Sequence, residues 1–305
     1  MKIQMIDFVN YFFVSVTFTI VRLTSNDARQ PQEVIMTSSL LTIKTFLSSD
    51  AGLNSVCALI QGETDSVLVD VPFLLSDARN LVQMVKDSGT RLTTIFVTHG
   101  HPDHWFTLSL FAEEFPEATM VAHPKVAEQI EGIREKKFKQ WKPVFGDEIG
   151  EKLIGPAAMS EMHLTLEGRE LPIIYVAVAD CEEATLVWVP ELETLIVGDL
   201  GSSDTHVYIA EHDAALRAEF LKSVYAMADL SPKTIIPGHM DEGSSMDADY
   251  VIKWTADYLA TFEEIVSDNP SEEEYNKRAA EAWGEIPVAF AVSLNAAAAL
   301  RGEYF

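Results

Sequence analysis

The spacing of apolar positions changes along the chain, and the changes mark its elements. Leu40–Leu47 alternates apolar and polar residues, the period of two expected of a strand with one buried face. Two further strands are predicted over Asn54–Gln61 and Ser66–Asp70, joined by a turn at Gly62–Asp65. From Ser76 to Ser88, the residues Ala78, Leu81, Val82 and Val85 fall at helical spacing, and Gly89 stops the helix. The β-branched run Thr93–Thr98 predicts a buried strand. Then come a helix over Trp105–Phe115, a short strand over Thr119–Ala122, and a helix opening at Pro124 that includes the basic stretch Glu128–Lys142. Strands follow over residues 171–178, 185–189 and 194–198, then a helix over Glu211–Asp229 and a strand over Lys233–Ile236. From about residue 243 the pattern is helical to the end, broken at Pro270 and Pro287. Strands, then β-α units, then strands again predict an α/β fold: a four-layer αββα sandwich of two mixed β-sheets with helices outside. No repeat and no long linker appears, so residues 36–305 are expected to form one domain with a helical C-terminal segment.

Residues 1–35 do not fit this pattern and are set apart as a leader or extension. The apolar run 6–23 is interrupted by Asp7 and Asn10 and is too short and broken for a membrane span. It resembles a signal peptide in having Lys2, an apolar stretch, and small residues near Ser25–Ala28, although the cleavage site is poor. The alternative is an extension ahead of a start at Met36. The first reading implies export and the second a cytoplasmic protein.

Charge narrows the function classes. The 305 residues hold 22 Lys+Arg against 47 Asp+Glu, a net charge of −25. Residues 1–35 carry three bases and three acids, so the whole excess falls in residues 36–305. An acid excess of this size weighs against nucleic acid, whose phosphates need clustered Lys and Arg. It weighs equally against stable association with an anionic membrane. A small-molecule substrate is expected, and a homodimer is left open. Two cysteines, Cys57 and Cys181, exclude a disulfide framework and a Cys-rich zinc site.

The strongest chemical signal is Thr98-His99-Gly100-His101-Pro102-Asp103-His104, which follows the strand at 93–97. Three of the chain's eight histidines and one aspartate share a tight loop at a strand's C-terminal end, where α/β folds place their chemistry. Imidazole and carboxylate together suit zinc and neighbouring transition metals. His99 and His101, two apart, point the same way in extended backbone, while Asp103 and His104 can face a second metal. Two such metals can share a hydroxide whose pKa is brought near neutrality. Asp180, Asp199 and His239 each close a strand, so all three can converge on the same sheet edge.

These residues resemble the metallo-β-lactamase superfamily, whose HxHxDH signature is matched by His99, His101, Asp103 and His104. The resemblance spans about Leu40 to Met240. It implies that Asp70 orients the metal-binding loop, that Asp199 bridges two metals, and that His239 is the last histidine ligand. The implied activity is metal-dependent hydrolysis with Asp103 handling the attacking water. The implied cofactor is zinc, one or two ions, with iron or manganese as alternatives. The sequence departs from the family pattern at one point: Ala179-Asp180-Cys181 stands where a Gly-His-Thr or Gly-His-Ser supplies a third imidazole. Either Asp180 ligates through oxygen or the enzyme runs with one metal. A subgroup with Asp there also has a histidine after the bridging aspartate, which would make His206 a ligand, substrate contact or proton donor. Nucleases of the family are disfavoured by the charge. A mononuclear iron dioxygenase and a non-catalytic binding descendant are the alternatives to a hydrolase of an ester, lactone, lactam or thioester.

Other residues carry weaker signals. Cys181 reads as a soft ligand, a redox-sensitive thiol or, more plainly, a small buried apolar residue. Trp105 and Phe106 either line a pocket or anchor their helix. Arg134, Lys136, Lys137, Lys139 and Lys142, with Phe138 and Trp141 between them, read as a solvated helix face or a basic cap over the site. His123, His163 and His212 read as boundary, strand and helix-start residues.

Overall fold

The computed structural model describes residues 41–304, so the expectations for residues 1–35 fall outside the described residues. Thr42–Leu47 (β1), Val56–Gln61 (β2), Asp65–Val69 (β3), Arg91–Val97 (β4), Thr119–Ala122 (β5) and Ala157–Ala158 (β6) form one sheet in that order. β1, β2 and β3 pair antiparallel, whereas β3 to β6 run parallel, because the connections after β3 and β4 contain helices. The second sheet contains His163–Leu166 (β7), Arg169–Val178 (β8), Glu182–Val189 (β9), Thr194–Ile196 (β10) and Thr234–Ile236 (β12), ordered β12-β10-β9-β8-β7. It too is mixed: β12 is parallel to β10 and the other pairs are antiparallel. Ser202–Ser203 (β11) and His239–Met240 (β13) form a small parallel pair.

Strand alternation divides the interior into three cores. Val56, Ala58 and Ile60 of β2 point inward and meet Val187, Val189, Ile196 and Ile236 of the second sheet. Cys57 and Leu59 point outward, under the helices Leu75–Asp87 (α1), Leu108–Glu114 (α2) and Pro124–Phe145 (α3). On the far side, Leu186, Leu195 and Ile235 pack against Ala214–Ala226 (α4) and Ala248–Val266 (α5), and this core extends to Glu272–Trp283 (α6) and Phe290–Arg301 (α7). Helices, sheet, sheet and helices make the expected αββα sandwich. Each fully buried Val, Leu or Ile contributes roughly 1.5–3 kcal/mol, which is why the alternating pattern dictates the layering. Among the described residues, no helix is long and apolar enough to cross a membrane.

One local expectation is corrected. The helix predicted from Trp105 begins at Leu108, because Pro102–His104 forms a 3-10 turn that ends at Trp105 with φ −150°. Trp105 and Phe106 are anchors, both buried in the outer helical core, and the Trp105 indole N–H donates to the Gly100 carbonyl at 3.0 Å. Phe138 and Trp141 of the basic helix pack against the same core, so that helix is amphipathic rather than free.

Candidate metal centre

The parallel pairings bring the candidate residues to one edge. Asp70 follows β3 and His99 follows the neighbouring β4. Asp199 follows β10, and His239 lies just past the parallel β12. Asp180 sits in the β8–β9 turn, at the end of β9 that lies beside the end of β10. A hydrogen bond from Thr185 N–H to the Thr98 carbonyl, 3.0 Å, ties that hairpin to the His99 loop.

Two glycines permit the closest approaches. Gly198 has φ +50°, and a Cβ there would come within 2.7 Å of Thr98 Oγ1. At Gly238 a Cβ would lie 1.9 Å from Asp199 Oδ1 and 2.6 Å from the Gly198 backbone. Asp70, at φ +63°, holds a conformation that non-glycine residues seldom adopt. In return its carboxylate accepts from Thr98 N–H at 2.8 Å, from the Thr98 hydroxyl at 2.8 Å, and from His104 Nδ1–H at 2.9 Å. This fixes the start and the end of the histidine loop together.

Every histidine of the cluster has one nitrogen engaged and the other turned inward. The Thr98 hydroxyl proton goes to Asp70, so its oxygen accepts from His99 Nδ1–H at 2.9 Å. His101 Nε2–H donates to Glu211 at 3.2 Å, and His239 Nδ1–H donates to the Leu53 carbonyl at 2.7 Å. The inward nitrogens are His99 Nε2 and His104 Nε2, both without a hydrogen-bond partner, His101 Nδ1, which meets Asp180, and His239 Nε2, which meets Asp199 at 3.1 Å; engaging the outer nitrogen is how proteins orient metal-binding imidazoles.

The carboxylates meet these nitrogens. Asp180 Oδ2 is 2.7 Å from His101 Nδ1. Asp199 lies between the two halves, 3.4 Å from His99 Nε2, 3.1 Å from His104 Nε2 and 3.1 Å from His239 Nε2. Asp103 lies 3.3 Å from His239 Nε2 and 3.7 Å from His104 Nε2. Three groups of donors result: His99, His101, Asp180 and Cys181; His99, His104 and Asp199; and Asp103, His104 and His239. His99 Nε2, His104 Nε2, Asp199 Oδ1 and both Asp180 oxygens are buried without a hydrogen-bond partner. Their close distances without hydrogen-bond alignment are what converging lone pairs leave when the space between them suits a cation. The donor set of imidazole and carboxylate fits a divalent transition metal.

The field of the site agrees. Burial opposes the charged forms, yet the Asp199 and Asp103 carboxylates outweigh it at His239 and raise that imidazole to about 9. Burial likewise opposes ionisation of Asp199, but His239, His104 and His99 together hold its carboxyl well below the usual range. The cluster therefore carries negative charge that demands a cation, proton or metal.

The structure brings His99, His101, Asp103, His104, Asp180, Asp199 and His239 together, with Asp70 behind them. It does not bring His206. That imidazole is buried beside Tyr258, whose hydroxyl is 3.0 Å from its Nδ1, and edge-on to Trp283. Burial lowers it to about 4, so it is neutral near pH 7. The sequence did not point to Glu211 or Tyr208. Burial raises the Glu211 carboxyl, but its bond to His101 and the charges of His101 and Lys137 pull it below the ordinary value. Tyr208 lies edge-on to His101 at 5.4 Å and reaches Phe290 at 6.4 Å, making an aromatic flank. Lys137 of the basic helix is among the charges that favour the Glu211 carboxylate. Of the other histidines, His123 accepts from Lys125 N–H at the start of α3, His163 opens β7, and His212 is buried against Phe220 ahead of α4.

Comparison with known proteins agrees with this geometry. Residues 50–239 match the family model described as the metallo-beta-lactamase superfamily. A metallo-beta-lactamase family protein from Thermus thermophilus superposes with a TM-score of 0.59 at 17% identity, over 83% of this chain and 92% of that one. A metallo-beta-lactamase from Pontibacter korlensis gives 0.56 at 16% identity, over 75% and 98%. The DIM-1 metallo-beta-lactamase gives 0.54 at 19% identity, over 75% and 95%. At these identities the structural likenesses speak to the fold alone. A comparison with curated proteins gave no match. With the family model spanning most of the sandwich and its signature histidines gathered on one edge, the chain belongs to the metallo-β-lactamase superfamily, a largely hydrolytic family built around divalent metal.

Proposed function

We propose that this protein is a metal-dependent hydrolase that cleaves an ester, lactone, lactam or thioester of a small molecule. The observation that carries the reading is the set of seven His and Asp side chains that meet at one edge, with donor atoms of His99, His104, Asp180 and Asp199 buried there without a hydrogen-bond partner. His99, His101 and Asp180 would hold one metal, and Asp103, His104 and His239 a second, with Asp199 shared. Zinc is the first expectation, with iron and manganese as alternatives. A bound divalent metal supplies a Lewis acid and makes water acidic enough to attack near neutral pH.

The chain's own residues do the rest. Asp103 can take and hold a proton from the attacking water, being 7% exposed and fixed beside His239. Tyr208, its pKa raised first by burial and then by Glu211 and Asp180, stays protonated and offers an O–H donor on the flank of the site. The Asp70, Glu211 and Leu53 contacts keep the imidazoles in one tautomer and one orientation, so little reorganisation is needed during turnover.

A cavity of about 480 Å³ adjoins the His239 side. Its walls include Leu53 and Asn54 on the β1–β2 connection and Glu285–Phe290 between α6 and α7. Asp50 and Glu285 are its charged residues, which together with the net charge of −25 favours neutral or cationic substrates over polyanions.

The test is metal content of the purified protein, followed by a screen of lactones, thioesters, β-lactams and phosphodiesters. Hydrolysis of a carbonyl substrate that is abolished in Asp103→Ala is expected. Metal content far below one per chain, or an unchanged rate in Asp103→Ala, would overturn the reading.

A further inference from the structure

The first half of the metal cluster contains a donor that the proposed reaction leaves unused. His99, His101, Asp180 and Cys181 each offer one ligand atom, and these four atoms all lie within 4.8 Å of one another. Cys181 is 1% exposed, as is Cys57, but the two thiols sit in different company. Cys57 packs among Leu59 and Leu68 in the outer helical core. Cys181 belongs to none of the three cores among the described residues. Instead the β8–β9 turn, closed by Ala179 N–H donating to the Cys181 carbonyl at 2.8 Å, sets this thiol beside Asp180. Both Asp180 oxygens and His99 Nε2 in the same group are buried without hydrogen-bond partners, so the space they face is polar and unsatisfied.

We propose that Cys181 is the fourth protein ligand of the first half-site when that site holds a thiophilic divalent metal. The inference rests on the metal-binding part of the hydrolase reading. On binding, the S–H bond breaks, an S–metal bond forms and the proton passes to solvent; nothing is oxidised or reduced. With His99, His101 and Asp180, Cys181 would give the first half-site four protein donors without drawing on Asp199, the number that suits tetrahedral zinc. A thiolate also biases the first half-site toward zinc, cobalt and cadmium and away from magnesium and manganese.

The test uses the full chain, stripped with a chelator and titrated with Co²⁺ while its absorption is recorded. A thiolate-to-cobalt charge-transfer band in the near ultraviolet is expected, lost in Cys181→Ser and retained in Cys57→Ser. Should Cys181→Ser fold poorly, alkylation of the wild-type chain decides: Co²⁺ should protect Cys181, located by peptide mapping. Visible d–d bands without the charge-transfer band, a band that survives in Cys181→Ser, or unprotected Cys181 would overturn the proposal while leaving the hydrolase reading intact. Failure to bind any divalent metal would overturn both. A charge-transfer band in a chain that hydrolyses nothing would overturn the hydrolase reading alone.

Discussion

His101 Nδ1 and Asp180 Oδ2 lie 2.7 Å apart, the shortest imidazole–carboxylate approach within the metal cluster. The contact matters because Asp180 stands where the family pattern has an imidazole. The turn at the end of β8 sets its carboxylate against the His101 imidazole, so an oxygen donor stands beside that ring.

Asp180→Ala should therefore lose metal from the first half-site and keep it in the second. Metal analysis after dialysis against a weak chelator should show roughly half the wild-type content. The loss in affinity should exceed the ~10–100-fold typical of a supporting group. Unchanged content would remove Asp180 from the ligand set.

Asp70→Asn separates charge from strain. Asparagine tolerates the left-handed backbone that Asp70 occupies at φ +63°. It cannot serve Thr98 and His104 as a carboxylate does. A drop of about 10–100-fold in metal affinity with little change in melting temperature is expected, read by chelator competition. A large fall in melting temperature with affinity preserved would mean that Asp70 acts mainly in folding.

Gly238 and Gly132 form a matched pair of tests. Gly238→Ala would put a Cβ 1.9 Å from Asp199 Oδ1 and 2.8 Å from the Asp199 amide nitrogen, so the Asp199 carboxylate must move. Reduced stability and metal retention are expected together. A Cβ at Gly132, inside α3, meets nothing within 4 Å. Gly132→Ala should stabilise by roughly 0.5–1 kcal/mol through helix propensity. Thermal denaturation of both variants checks the contrast.

Glu167 gives the pH prediction. From the β7–β8 turn its carboxylate accepts from the backbone N–H groups of Thr64, Asp65 and Glu63 at 2.6, 2.9 and 3.0 Å, clipping one sheet's turn to the other's. These bonds lower it to about 2 from 4.5. A depressed carboxyl stabilises the fold above its unfolded pKa, and that stability is lost as pH falls from about 4.5 toward 2. Glu167→Gln should cost about 1–2 kcal/mol near neutral pH, a partly exposed site giving less than three full charge-assisted bonds. It should also flatten the acid limb of the stability curve. An acid limb identical to wild type would refute the assignment.

Much of the molecule was legible in the sequence for a local reason. Strand alternation and helical spacing are short-range patterns, so β1 to β5, α1, α3 and the broken C-terminal helices stood close to where the structure has them. The His99–His104 window was legible too, since six residues at a strand end carry four ligands. The two-residue strands β6, β11 and β13 are too short to show any period.

What only the tertiary structure decided are the contacts between distant segments. Glu211 reaches His101 across 110 positions and Leu53 reaches His239 across 186, and no local pattern announces either. Cys181 and Cys57 look alike as isolated letters, and only packing puts one among hydrophobes and the other among ligands. His206 and His239 are both candidate site residues in the sequence, one after Asp199 and one closing a strand. The register of β11 with β13, Ser202 opposite His239, carries one into the cluster, while the packing of Tyr258 and Trp283 encloses the other. Residue types and their local spacing determine which chemistry is available, because ligand identity and hydrophobic period are properties of the chain itself. Which of those groups share a site depends on strand register and helix docking, which form only when the sheets and helices pack together.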